Sequence, residues 1–81
     1  MQKDIGNEVL KDLSKIEFKE LKELLLYNNN ISDIEILKNA KFDKLELLNL
    51  RNNKISDINI LEKINWKNLK ELFLYGNKYL I

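Results

Sequence analysis

Cysteine, histidine, proline and threonine are all absent from these 81 residues, and glycine occurs only at positions 6 and 76. Without Cys and His there is no thiol nucleophile, no disulfide staple, no imidazole base and no ordinary zinc site. Most enzyme classes are excluded on that ground. Neither sign of charge dominates: 14 basic residues face 13 acidic ones, for a net charge of +1. Such a balance gives no broad attraction to nucleic acid or to an anionic membrane. No segment approaches the roughly 20 apolar residues that span a bilayer. The first eight residues, Met1 to Glu8, carry polar and acidic side chains where a secretory signal needs an apolar run. The expected location is therefore the cytoplasm. What the chain does have is 44% hydrophobic and 33% charged residues, which suits one small domain with a buried core.

The hydrophobic residues recur. Shifting the chain by 24 residues lays Leu21, Leu24, Leu26, Asn28, Asn29, Ile31, Ser32, Asp33, Ile34, Ile36 and Leu37 on identical residues 24 positions later. That is 11 identities between windows 21–44 and 45–68. A second shift places Leu69, Lys70, Glu71, Leu72, Leu74, Tyr75 and Asn77 on Leu21, Lys22, Glu23, Leu24, Leu26, Tyr27 and Asn29. The N-terminal segment supplies half a unit, with Leu10, Leu13, Ile16 and Phe18 in phase with Ile34, Leu37, Ala40 and Phe42. The chain thus divides into an N-terminal half repeat (1–20), two full repeats (21–44 and 45–68) and a partial repeat (69–81), all within one domain.

The shared motif, Leu-x-x-Leu-x-Leu-x-x-Asn-x-Ile at 21–31 and 45–55, with Tyr79 in the last place of the third copy, resembles the leucine-rich repeat family. The trailing Ile-Ser-Asp-Ile-x-x-Leu is most similar to the internalin-type subgroup. Two features differ from that subgroup: the unit is 24 residues long, and Ile36 and Ile60 stand where proline often follows Ser-Asp-Ile. The resemblance implies an α/β fold, a short right-handed solenoid with a three-stranded parallel sheet and an N-terminal capping helix.

Elementary patterning points the same way. Leu24 and Leu26, and their equivalents, alternate with variable residues at the period of a strand. The run Asn28-Asn29-Asn30 suits a turn. Asn29, Asn53 and Asn77 recur at one place per unit, where a side-chain amide can satisfy the turn backbone of neighbouring coils. Ser32-x-x-Glu35 reads as a capping box ahead of a short helix, with Ser56-x-x-Asn59 as its weaker copy. Residues 5–18 read as an opening helix with Ile5, Val9, Leu10, Leu13 and Ile16 on one face.

Three groups of residues could carry chemistry. Ser32 and Ser56 have no base to activate them and read as structural. Asp33 and Asp57 are turn residues at one repeat position, not a hydrolytic pair. The lysines at 11, 15, 19 and 22, and those at 38, 41 and 44, come at helical spacing and read as a solvated face interleaved with Glu17, Glu20 and Glu35. A phosphate-contacting surface is the alternative. No catalytic, metal or cofactor site is expected.

A sharper signal lies on the outward side of the strands. The register turns Leu25, Asn49 and Phe73 into one cross-strand row and Tyr27, Arg51 and Tyr75 into the next. Leu47 sits between Glu23 and Glu71, and Lys54 and Lys78 flank the loop edge. Arg51 is the only arginine and falls between two tyrosines. Exposed Tyr, Phe and Arg in one patch is the composition of an interaction hot spot. The competing reading is that these side chains only shield one another.

Expected, then, is a non-enzymatic module that binds a protein target without cofactor, metal or membrane. The resemblance adds that family members can inhibit enzymes by covering them, as a phage or mobile-element inhibitor of a host or defence enzyme would. A nucleic-acid binder using the lysine faces and a self-assembling module remain as alternatives. The patch spans only about 230 Å² of flat sheet, whereas a stable interface takes roughly 800 Å² from each partner. The C-terminal edge, with Leu72, Leu74, Tyr79, Leu80 and Ile81, is therefore expected to join the contact or to pair with a second copy.

Overall fold

The computed structural model describes residues 5–78. The expectations for Tyr79, Leu80, Ile81 and the Ile5 side chain lie outside those residues. The fold opens with helix α1 (Ile5–Leu13) and strand β1 (Glu17–Phe18). Strand β2 (Glu23–Leu25) follows, then a 3₁₀ helix (Glu35–Asn39), β3 (Lys41–Phe42) and β4 (Leu47–Asn49). A second 3₁₀ helix (Asn59–Glu62) and β5 (Glu71–Phe73) complete it.

All strand pairing is parallel. Strands β2, β4 and β5 form one sheet in that order, and β1 pairs with β3 in another. Every partner lies 24 residues away, as in Glu23 with Leu47 and Leu47 with Glu71. The ladder runs beyond the short strands: Asn28 N–H donates to the Arg51 carbonyl, Lys54 to Ile31, and Lys78 to Ile55. Parallel strands need crossover connections, and here each crossover contains one 3₁₀ helix.

The core sits between the sheets. Leu26, Ile31, Ile34, Leu37, Phe42, Leu45, Leu48, Leu50 and Ile55 are buried in it. Phe18 stacks on Phe42 with centroids 5.6 Å apart, and Phe42 meets Trp66 edge-on at 5.1 Å. One aromatic per repeat thus lines the far side of the core, in favoured ring geometry. Helix α1 lays Leu10 into this core, with Val9 and Leu13 packed against it.

Several local expectations are corrected. The opening helix ends at Leu13 rather than 18; Ser14 to Ile16 close it with turn hydrogen bonds. Glu17 and Phe18 are a strand because β3 offers them a ladder, and Ile16 is exposed. The capping boxes do not form: neither 3₁₀ helix has a side-chain cap bond from its N-cap, Ile34 or Ile58. Instead Asp33 Oδ1 accepts the Glu35 N–H at 2.9 Å, and Asp57 Oδ1 accepts that of Asn59 at 3.0 Å. These are Asx turns, in which the short carboxylate bonds two residues onward more readily than a serine three residues off. Ser32 serves α1: its hydroxyl accepts from Asn7 Nδ2 at 2.9 Å, and its N–H donates to Asn7 Oδ1.

Candidate protein-binding surface

The surface is set by the turns that end β2, β4 and β5. Asn28, Asn52 and Gly76 occupy the same repeat position at φ of 60°, 55° and 81°. Left-handed backbone is open to glycine and, among other residues, best tolerated by Asn, which accounts for the asparagine-rich turns. A Cβ on Gly76 would also run into the Asn52 side chain.

Beneath the turns lie the recurring asparagines. Asn53 is buried, and its Oδ1 accepts the N–H groups of Asn29 at 2.9 Å and Ile31 at 3.0 Å. Its Nδ2 donates to the carbonyls of Leu26 at 3.0 Å and Leu50 at 2.9 Å. Asn77 makes three of these bonds one repeat on, accepting from Ile55 and donating to Leu50 and Leu74. Each amide therefore ties its own turn to the preceding one. Asn29 has no such turn before it, and its side chain donates only locally, to the Tyr27 carbonyl.

On the outward side Leu25, Tyr27 and Tyr75 are exposed, whereas Leu47, Asn49, Arg51 and Phe73 are half-buried. Arg51 lies 4.8 Å from the Tyr27 ring centroid and 5.8 Å from that of Tyr75, and its Nη1 donates to the Tyr75 hydroxyl at 2.7 Å. Asn49 is occupied by the chain itself, since its Oδ1 accepts the Arg51 N–H at 3.1 Å. Lys54 and Lys78 stand exposed at the loop edge. The tyrosine–arginine row is thus brought together as a unit, while Asn49 acts as a turn former beneath it.

The lysines at 11, 15, 19, 22, 38, 41 and 44 are all exposed. Lys38 pairs with Glu35 at 3.7 Å and Lys44 with Glu20 at 3.1 Å. Among the described residues no cluster of His, Cys, Asp and Glu could hold a metal ion, and no helix is long and apolar enough to cross a membrane. Gly6 and Asn7, not singled out by the repeat, both prove to be contact residues of α1. A Cβ on Gly6 would meet the Asn29 carbonyl oxygen, and Asn7 bonds the Ser32 turn.

Parallel strands in 24-residue register, asparagine-stapled turns and an outward sheet face define a repeat protein of the interaction-module kind. The model of the leucine-rich repeat family, described as Leucine Rich repeats (2 copies), matches residues 19–63. The chain belongs to that family. Its members generally mediate protein–protein interaction and are typically non-enzymatic. No curated protein and no solved structure matches the chain.

Proposed function

We propose that this chain is a non-enzymatic, internalin-like repeat solenoid, closed at its N-terminal end by α1, that inhibits a single protein target by covering it. A host or defence enzyme met by a phage or mobile element is the kind of target meant, and the cytoplasm is the proposed site of action. The observation that carries the reading is the Tyr27–Arg51–Tyr75 row beside exposed Leu25. Large side chains that would enter a core elsewhere are turned to solvent here, around the only arginine. Hot spots are rich in Tyr and Arg, and a rigid sandwich loses little side-chain entropy on binding. The ion pairs of Lys38 and Lys44 and a near-zero net charge favour this reading over a phosphate-binding one.

The test is capture of a target by the wild-type chain and by the triple variant Tyr27→Ala, Arg51→Ala, Tyr75→Ala, both folded. A protein retained by the first and lost from the second, whose activity the chain blocks, supports the reading. Equal retention overturns it. Loss of affinity with a steep salt slope toward DNA or RNA would assign the nucleic-acid alternative.

A second reading rests on the C-terminal edge. Leu72 is 37% exposed, β5 has only β4 beside it among the described residues, and Leu61, Ile64, Trp66, Leu69 and Leu72 line a shallow apolar groove. We propose that this edge takes a second copy or part of the target. Light scattering across a dilution series tests it. A mass that falls on dilution, and a permanent monomer in Leu72→Lys, are expected; a wild-type monomer whose target affinity Leu72→Lys leaves unchanged overturns the idea.

A further inference from the structure

The tyrosine–arginine row has an electrostatic property that its aromatic character does not explain. The turn tetrads 27–30, 51–54 and 75–78 contain Arg51, Lys54 and Lys78 and no acid. The carboxylates of the same face, Glu23 and Glu71, stand at the opposite ends of the strands. At about 3.3 Å per residue, Glu71 lies some 13 Å from Tyr75 along the chain. Among the described residues Lys38, Lys44 and Lys70 are ion-paired with Glu35, Glu20 and Glu46, and the other lysines with no carboxylate in reach are exposed to water. Arg51 has no carboxylate beside it among the described residues, although it is half-buried and held on both sides by rings.

Its hydrogen-bonding groups are also unevenly used. Nε is buried without a partner. Nη1 donates to the Tyr75 hydroxyl, and that hydroxyl, having accepted, still carries its own proton. A hydroxyl that accepts from a cation is polarised into a stronger donor. Buried Nε is out of reach, so the Tyr75 O–H and the Nη groups of the guanidinium are the donors presented, with no acceptor from the described residues beyond the Tyr75 hydroxyl, on a surface bordered by Leu25 and Phe73. We propose that this point receives a side-chain or C-terminal carboxylate of the protein target, flanked by apolar residues that settle on Leu25 and Phe73. This inference rests on the protein-binding reading above and specifies its chemistry. Charge-assisted bonds of guanidinium to carboxylate are the strong ones, and the two rings already hold the guanidinium in place for one. Three cations are too few for the phosphate spacing of a nucleic-acid track, and the apolar flanks suit side chains rather than a sugar–phosphate backbone.

The test selects a phage-displayed random dodecapeptide library on the immobilised full chain and, in parallel, on Arg51→Gln and Tyr75→Phe. The wild type should enrich Asp and Glu about tenfold over the Arg51→Gln pool, next to apolar residues, as expected for loss of one charge-assisted contact. Tyr75→Phe keeps the ring and should lower the enrichment partway. If Arg51→Gln does not melt with the wild type, Tyr75→Phe carries the comparison alone. Retained peptides with equal acid content in all pools, but lost from a Leu25→Ser chain, overturn the carboxylate inference and leave the binding surface standing. No retention above the bare matrix overturns both. So does preferential, salt-sensitive retention of a 20-base-pair duplex DNA, which would assign the surface to nucleic acid.

Discussion

Asn53 makes five side-chain bonds to two turns, whereas Asn29, at the same motif position, makes one among the described residues. Burial raises the stakes, because a buried backbone group left without a partner costs about 1–3 kcal/mol. Asn53→Ala is therefore expected to destabilise the fold by about 1–3 kcal/mol or more, and Asn29→Ala by less than about 1 kcal/mol. Denaturant melts of the two variants check this; equal costs would mean that the amide acts on its own turn only. Arg51 offers the opposite case. It makes no side-chain bond to turn backbone, and its contacts are with exposed rings, so Arg51→Ala should lower target affinity by about 2 kcal/mol or more while the melting midpoint barely moves. An unchanged affinity with a lowered midpoint would make the sandwich a structural feature alone.

Helix α1 shows propensity and packing in direct conflict. Gly6→Ala improves intrinsic helix propensity by about 1 kcal/mol. Yet the added Cβ would meet the Asn29 carbonyl oxygen and the Ile31 side chain, and a clash against backbone forces the whole helix to shift. The net effect is expected to be destabilising, by about 1–3 kcal/mol as for other overpacked sites. A thermal melt decides the sign, and a stabilised variant would show that α1 is not seated on the first turn. The 3₁₀ helices make a similar point. Asp33→Ala removes the Asx turn and should cost about 0.5–1 kcal/mol, more than Ser56→Ala, whose hydroxyl has no hydrogen bond among the described residues. Circular dichroism with chemical melts of both variants measures the difference.

For the molecule as a whole, position in the stack decides energetics. Leu24, Leu48 and Leu72 are one motif residue in three copies, yet Leu48 is fully buried and Leu72 is 37% exposed. Leu48→Ala should cost about 2–5 kcal/mol, as for other fully buried leucines, a large part of the 5–15 kcal/mol that holds a domain folded. Leu72→Ala should cost less than about 1 kcal/mol at high dilution. A cost for Leu72→Ala that grows with protein concentration would report a partner copy on that edge, by mass action.

The sequence alone determined the period, the register and the cross-strand rows. Eleven identities at a spacing of 24 leave one alignment, and parallel pairing at that same spacing follows in every ladder. Alternation then assigns each residue from 23 to 27 to the core or to solvent, so Leu25, Tyr27, Arg51 and Tyr75 were legible as one outward group. Local choices between near-equal options were not. Ser32 and Asp33 can each cap, and Asx geometry with Asn7 nearby selected the aspartate. Glu17 and Phe18 can continue a helix or extend, and β3 decided for the strand. The differing duties of Asn29 and Asn53, and the differing burial of Leu48 and Leu72, lay beyond the sequence for one physical reason. Copies of a motif are chemically alike, and only what stacks on each of them in the folded chain removes its water and supplies its partners.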